Sequence, residues 1–308
     1  MAQLIWVLLG VATIGLGILT LAGFFGRYRY WLDICDHFRF QYLILAAASA
    51  TLFYFGGLVG WGNLALFIVM INLYLLFPLY WPVKNWRWAK PQYRILIANV
   101  LRSNRAYPEF LALVNAHNPD FIGLVEPDQA WLDGIKDLSS AYPYQYASPR
   151  QDNYGLALFS RYLLVETFEH ILTEKRVPTL EVQAELDGDR LTIILTHPPP
   201  PKNPADTVLR VVQMGRLAEL AREKSGKVML CGDFNCSPWS NSFRKMAHRA
   251  QLFDSTRGFG FQPTWPVDRF WLWVPIDHCL VSNSVSVARR WIGKSIGSDH
   301  YPLLIDFN

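Results

Sequence analysis

Charge is scarce where it matters most. Across the first 83 residues of this 308-residue chain only Arg27, Arg29, Asp33, Asp36 and Arg39 are charged, and residues 1–26 and 40–83 hold none. No basic n-region precedes the first apolar stretch and no A-x-A site follows it, so a cleaved signal peptide is the wrong reading. The rest of the chain keeps 26 basic and 23 acidic residues. That near balance lacks the strong basic bias of a protein that grips a long duplex by neutralising several phosphates, so nucleic acid is possible but not favoured. Cysteine is sparse as well. Cys35, Cys231, Cys236 and Cys279 form no CxxC pair and no metal-finger spacing. Cys231 and Cys279 sit in apolar strand-like runs and read as buried thiols. No repeat occurs, and the only low-complexity tract is the proline run at 198–201.

What fills the uncharged N-terminus is long hydrophobic runs. A helix crosses a bilayer core with about 20 apolar residues. Residues 4–25 supply one span, and 41–59 and 63–80 supply two more, with Gly60, Trp61 and Gly62 at the bend. Tyr28, Tyr30 and Trp31 follow the first span, and Tyr80, Trp81, Trp86 and Trp88 follow the third, as interfacial aromatics do. Pro78 and Pro82 help end the last helix. The expected organisation is a three-helix membrane anchor at 1–83, a linker at 84–93 and a soluble domain at 94–308. With three spans, the loop from Arg27 to Arg39 shares a face of the membrane with the soluble domain. Arg27, Arg29 and Arg39, with Lys84, Arg87 and Lys90, place that face in the cytoplasm by the positive-inside rule. Arg27, Arg29, His37 and Arg39 read as interfacial snorkelling groups, with an anionic headgroup as the sharper alternative.

In the soluble part, apolar strand-like runs recur at 94–101, 121–125, 156–160, 179–186, 191–196, 228–231, 276–281 and 303–307. Asp187-Gly188-Asp189 marks a hairpin. Helical periodicity fits 108–116, 129–138, 207–224 and 240–250, with Gly226 as a stop after the third. Mixed strands and helices predict a layered α/β domain with sheets inside and helices outside. The proline run predicts a stiff loop beside His197, and the aromatic-rich run 259–273 a packing loop next to the site. Arg210 and Gln213 read as solvated positions on a helix surface, with phosphate contact as the alternative.

Polar residues appear where the apolar strands end. Asn99 ends the first, Glu126 follows the second, and His197 follows 191–196. Asp233 and Asn235 follow 228–231, Asp277 and His278 lie within 276–281, and Asp299 and His300 precede 303–307. Any one acid here is a turn or cap residue. Six ordered strand ends with acids, amides and imidazoles carry more: oxygen donors suit Mg²⁺ or Mn²⁺, and the other groups suit proton transfer and charge stabilisation.

These motifs resemble the endonuclease/exonuclease/phosphatase superfamily over residues 94–308. The resemblance rests on Asn99, Val-Glu-Pro at 125–127, Leu-Phe-Ser-Arg at 158–161, Thr-His at 196–197, Gly-Asp-Phe-Asn at 232–235, Ile-Asp-His at 276–278 and Ser-Asp-His-Tyr-Pro at 298–302. It implies a DNase I-like two-sheet β-sandwich flanked by helices. It further implies Glu126 as main metal ligand, assisted by Asn99 and Asp299, and Asp233 as the residue that orients or deprotonates water. Asn235 would hold a phosphate oxygen and His300 would contact the scissile phosphate. Asp277 would fix the tautomer of His300, and His197 would assist the leaving oxygen. Two departures stand out: Leu101 occupies a place often polar in the family, and Val125 precedes Glu126 where Gln is common. Asp-His-Phe-Arg-Phe-Gln-Tyr at 36–42 and Thr-His-Pro-Pro-Pro-Pro at 196–201 resemble a membrane-anchored bacterial branch. That branch implies a multi-pass protein of the bacterial inner membrane acting on a lipid-linked phosphate such as a polyprenyl-phosphate carrier. Its catalytic domain would lie outside the cytoplasm, against the charge count, and the side stays open here.

Overall fold

A computed structural model describes residues 1–26, 28–83, 86 and 90–308. The expectations for Arg27, Lys84, Arg87 and Trp88, and half of the linker, fall outside these residues.

The N-terminal runs form α1 (Ala2–Ala22), α2 (Tyr30–Asp36), α3 (Arg39–Phe55) and α4 (Val59–Tyr80). α1, continued through a short turn to Phe25, and α4 are long and apolar enough to cross a membrane. α3 has 17 residues and meets α2 at a 63° bend, so the described residues hold two helices long and apolar enough to cross a membrane, or up to three if that bent pair counts as one, against the three expected. The turn between α3 and α4 lies earlier than the predicted Gly60–Gly62. Gly57 at φ 73° takes the left-handed conformation that ends α3, and the Leu58 amide donates to Phe53 O (2.8 Å), closing its last turn. Gly60, Trp61 and Gly62 then fall inside α4. Asn72 of α4 donates to the Thr20 hydroxyl of α1 (3.1 Å), a polar tie between apolar helices.

The rest of the chain holds β1 (Tyr93–Asn99), α5 (Tyr107–His117), β2 (Phe121–Val125), α6 (Gln129–Gly134), β3 (Tyr144–Ser148) and β4 (Leu156–Ser160). It continues with β5 (Leu164–Ile171), β6 (Pro178–Leu186), β7 (Asp189–Thr196), α7 (Pro204–Arg222), β8 (Lys227–Asp233) and α8 (Asn241–Ala250). It ends with β9 (Phe253–Asp254), β10 (Asp277–Val281), β11 (Val287–Ile292) and β12 (Leu303–Phe307). Two six-stranded sheets form, ordered β11-β12-β1-β2-β4-β3 and β5-β6-β7-β8-β10-β9. Alternation decides the layers. Ile95 and Ile97 of β1 point inward to meet Ile193 and Leu195 of β7, while Leu96 points outward to Phe110 of α5. On the far side Ile194 and Leu230 meet Met214 and Leu217 of α7. The result is the expected sandwich of two sheets between helices, and Asp187–Gly188 does form the β6–β7 hairpin.

The N-terminal helices sit directly on this sandwich. Asp33 of α2 pairs with Arg210 of α7, and Trp239 donates its indole N–H to Asp36 O. Gln41 donates to Trp273 O (2.8 Å), and the Phe40 ring stacks on Phe261 at 4.1 Å. At the end of α4, Leu79 O accepts the amides of Gly258 (2.7 Å) and Gly260 (2.9 Å).

Candidate active site

Parallel pairing gathers the strand ends. β1 and β2 run parallel with Asn99 opposite Val125, so Asn99 and Glu126 leave their sheet at one edge. β7 and β8 run parallel with Thr196 opposite Gly232, so His197 and Asp233 leave the second sheet together. β10 is antiparallel to β8 and sets Asp277 opposite Asp233, while β12, antiparallel to β1, begins just after Asp299 and His300. The tight approach of β8 to β7 requires glycine at 232: φ is 140°, and a Cβ there would lie 1.9 Å from Thr196 O.

All eight predicted site residues meet here. Glu126, His197, Asp233, Asn235, Asp299 and His300 line a cavity of about 660 Å³, and Asn99 and Asp277 stand directly behind them. Asn99 Nδ2 donates to Glu126 (3.2 Å) and to Asp233 (3.1 Å), holding the two carboxylates together, while its Oδ1 accepts the Leu101 amide (3.0 Å). Glu126 (φ 66°) and Asn235 (φ 51°) both adopt left-handed backbone, a strain that clusters at functional sites. The Asn235 amide caps Asp233 Oδ1 (2.8 Å), and its Nδ2 reaches Pro198 O (3.0 Å) and His197 Nε2 (3.1 Å). His197 Nδ1 donates to Asn153 O (3.0 Å), which in the neutral ring leaves Nε2 as the acceptor facing Asn235.

His300 is the most strongly polarised group. Its Nδ1 donates to Asp277 Oδ2 (2.8 Å), and its Nε2 lies 3.7 Å from Asp233. Burial pushes the imidazole down, but the Asp277 and Asp233 carboxylates outweigh burial and carry it up to about 10. Burial likewise pushes the Asp233 carboxyl up, yet His300 and His197 beside it hold it well below the usual carboxylate range. For His197, burial lowers and Asp233 and Glu126 raise; the acids prevail and the ring moves upward. At neutral pH the centre is therefore an ionised Asp233 between two cation-prone imidazoles.

Two donor sets suit a metal. Asp233, Asp277 and His300 place ligand atoms within 4.8 Å of one another, although the His300–Asp277 hydrogen bond already occupies two of those groups. Glu126 is only 8 % exposed, and its nearest positive partner is His197 at 3.9 Å. A nearly buried carboxylate with so little compensation fits a hard divalent cation, with Asp233 as a neighbouring oxygen donor; Asn99, whose Nδ2 faces both carboxylates, would turn its amide to add a third. Asp299 lines the same cavity and accepts the Trp265 indole N–H (3.1 Å).

Several functional positions escaped the sequence reading. Thr264 Oγ1 accepts the amides of Ile276 and Asp277 (3.1 Å each) and so fixes Asp277, and buried Arg290 reaches Asp277 O (3.4 Å). A threonine and an arginine in unremarkable local sequence give no signal for these roles. Arg210 and Gln213 are not solvated. Arg210 is fully buried, donating to Asn235 O (2.5 Å) and Asp33, and Gln213 donates to the Thr196 hydroxyl (3.3 Å). Arg39 does not snorkel: it is buried against Asp36 and Thr20 O. His37 lies in the wall of the cavity with Ile34 and Phe38, and burial pushes its imidazole down to about 4. The proline run falls where expected, with Pro200 and Pro201 lining the cavity. Trp265 of the aromatic run lines it too.

Comparison with known proteins fits this geometry. A family model described as "Endonuclease/Exonuclease/phosphatase family" matches residues 96–300. Among curated proteins, no sequence matches. Solved structures with a similar fold include D. rerio TDP2 complexed with single strand DNA product, at TM-score 0.61 and 16% identity, covering 70% of this chain and 98% of that one. An endonuclease/exonuclease/phosphatase from Beutenbergia cavernae gives 0.59 and 15%, covering 71% and 72%. Sphingomyelinase C from Streptomyces griseocarneus gives 0.53 and 18%, covering 71% and 100%. At such identities the likeness is one of fold.

Proposed function

The chain belongs to the Endonuclease/Exonuclease/phosphatase family, and on that premise we propose that it is a membrane-anchored, Mg²⁺- or Mn²⁺-dependent phosphoesterase. It hydrolyses a phosphate ester or pyrophosphate by attack of water on phosphorus, with a lipid-linked substrate. The observation that carries this reading is the cavity wall. Residues of the anchor, Ile34, His37 and Phe38, enclose the same space as Asp233 and His300. A site built partly from the anchor works next to the headgroup plane, where tethering raises the effective concentration of a lipid-borne ester.

The residues divide the work. Ionised Asp233, fixed by the Asn235 amide and Asn99, accepts a hydrogen bond from the attacking water and orients it. Cationic His300, held by Asp277, meets the charge that develops on the phosphoryl oxygens, and Asn235 offers its side-chain amide to another of them. His197, cationic before the step, gives its Nε2 proton to the leaving oxygen, and Asp233 takes the proton that the attacking water loses. Glu126, with Asn99 and Asp299, would hold the metal, which when bound supplies Lewis-acid stabilisation of the transferring phosphoryl group. The two long apolar helices support membrane association, and the proposed location is the bacterial inner membrane as a multi-pass chain.

The test uses full-length protein in detergent with Mg²⁺. Release of phosphate from phosphatidic acid or farnesyl diphosphate, lost in Asp233→Ala and His300→Ala, is the expected result. Equal release in chelator would sink the metal, and nicking of plasmid DNA without action on either lipid would favour a tethered nuclease.

A further inference from the structure

α8 carries charge of one sign only. Its ten residues include Arg244, Lys245, His248 and Arg249 and no acid. Phe243, Met246 and Ala250 are buried in the core, which turns the four basic positions outward, and all four are exposed. Helical spacing sets Arg244 beside His248 and Lys245 beside Arg249, and together with Asn241 they line one shallow depression of about 300 Å³. Among the described residues none of the four side chains forms an ion pair or a hydrogen bond. Two acids come near, and both are engaged. Asp36, whose carboxylate feels the charge of Arg244, is paired with Arg39, and Asp254 accepts the amide (2.9 Å) and hydroxyl (2.7 Å) of Thr256. The helix dipole favours His248 and Arg249 in the last turn, but it offers nothing to Arg244 and Lys245 in the N-terminal half.

This basic face lies between the ends of the apolar helices. On one side Arg244 lines a groove of about 390 Å³ together with Tyr74, Phe77 and Pro78 of α4. On the other Lys245 lines a groove of about 400 Å³ together with Tyr28 and with Trp31 of α2. Tyr74, Phe77 and Trp31 are 79 %, 52 % and 54 % exposed, as aromatics at a membrane interface are. Tyr74 stands six residues before the end of α4, so α8 runs beside the last ~9 Å of that helix. That is the depth at which headgroups flank the hydrocarbon core. No residue of α8 lines the catalytic cavity, so the reaction does not account for the charge.

We propose that the outer face of α8 is a docking surface for anionic phospholipid headgroups, with Arg244, Lys245, His248 and Arg249 meeting their phosphates. The flanking aromatics then sit at the level of the first acyl carbons, and the sandwich is held against the bilayer by its own surface as well as by its N-terminal helices. Charge complementarity and the continuity of this face with α4 and α2 select a lipid surface as the occupant. The proposal rests on the reading that α1 and α4 cross the membrane.

The probes are dioctanoyl phosphatidylglycerol, which is anionic, and dioctanoyl phosphatidylcholine, which is not. Each is titrated onto the full-length chain in detergent with chelator present, and bound lipid is counted by native mass spectrometry. Wild type binds the glycerol lipid more tightly. Each Lys or Arg at an anionic surface contributes about fivefold, so Arg244→Gln with Lys245→Gln cuts that preference about 10-fold or more. Arg244→Lys with Lys245→Arg keeps it. Arg249→Gln lowers it about fivefold and gives an independent reading should the glutamine pair fail to melt cooperatively. No preference in the wild type, or one unchanged in the glutamine variants, overturns the docking surface. So does a single-stranded oligonucleotide that binds wild type and not the glutamine pair while neither lipid is preferred, which assigns the face to nucleic acid. Release of the chain from membranes by alkaline carbonate would overturn the anchor reading itself. Absence of lipid hydrolysis with the glycerol-lipid preference intact would overturn the lipid substrate and leave this surface standing.

Discussion

The contact between the N-terminal helices and the sandwich includes a buried ion pair, and breaking it from one side is expected to be costly. Arg210 is 0 % exposed and Asp33 3 %. Asp33→Ala leaves the guanidinium buried with only Asn235 O as a strong acceptor, since its Nε already lacks a partner. Removing one member of such a pair costs about 3–5 kcal/mol, most of it the uncompensated charge. Replacing both, as Asp33→Leu with Arg210→Met, removes the charge as well and is expected to fall within about 1 kcal/mol of wild type, or above it. Urea unfolding of the detergent-solubilised chain, followed by tryptophan fluorescence, measures all three proteins. A single variant that loses less than about 1 kcal/mol would refute the reasoning. So would a double variant as unstable as Asp33→Ala, because the penalty would then not come from stranded charge. Since Arg210 also holds the Asn235 carbonyl, the Asp33→Ala protein is expected to lose turnover along with stability.

Other expectations follow from the same geometry. Asp277→Asn leaves His300 without its anionic partner, and the kcat of phosphate release should fall at least about 100-fold while KM changes little. Chelation should abolish turnover and Mg²⁺ or Mn²⁺ restore it, and Glu126→Ala should raise the metal concentration needed by about 10-fold or more, read from a metal titration. The His37 imidazole is held near 4 by burial against 6.5 when unfolded, so the folded state resists its protonation. The stability it contributes is fully present above pH 6.5 and is withdrawn as pH falls towards 4. Partial exposure limits the size to about 1–3 kcal/mol, and His37→Gln should flatten that limb of the stability–pH curve.

How much was legible in the sequence follows from which forces are local. β2, β4 and β12 were read to the residue because both their faces are buried and the apolar run is unbroken. β5 was missed for the opposite reason: an edge strand, exposed along most of its length, carries no burial pattern. β3 and β11 lie at the edges of the other sheet and were missed likewise. That the eight candidate residues converge was legible because the strand ends that bear them follow strong apolar runs. Their hydrogen bonds were not, since Asn99 turning its amide nitrogen to Glu126 and Asp233 depends on three strands meeting. Arg210 and Arg39 misled because a helical arginine reads as solvated until a carboxylate from another element buries it. Asp33 lies 177 residues from Arg210, beyond any local pattern. His37 was marked only as a group near a headgroup, and its place in the cavity depends on the N-terminal helices docking against Trp239 and Trp273.

The most direct test of the central claim is hydrolysis by the full-length chain reconstituted in vesicles that contain a lipid-linked phosphate ester, with Mg²⁺ present. Phosphate release that stops with chelator and in Asp233→Ala is the predicted result. Wild-type vesicles that release no phosphate from the lipid ester, while the same protein cleaves DNA at the same site residues, would contradict it.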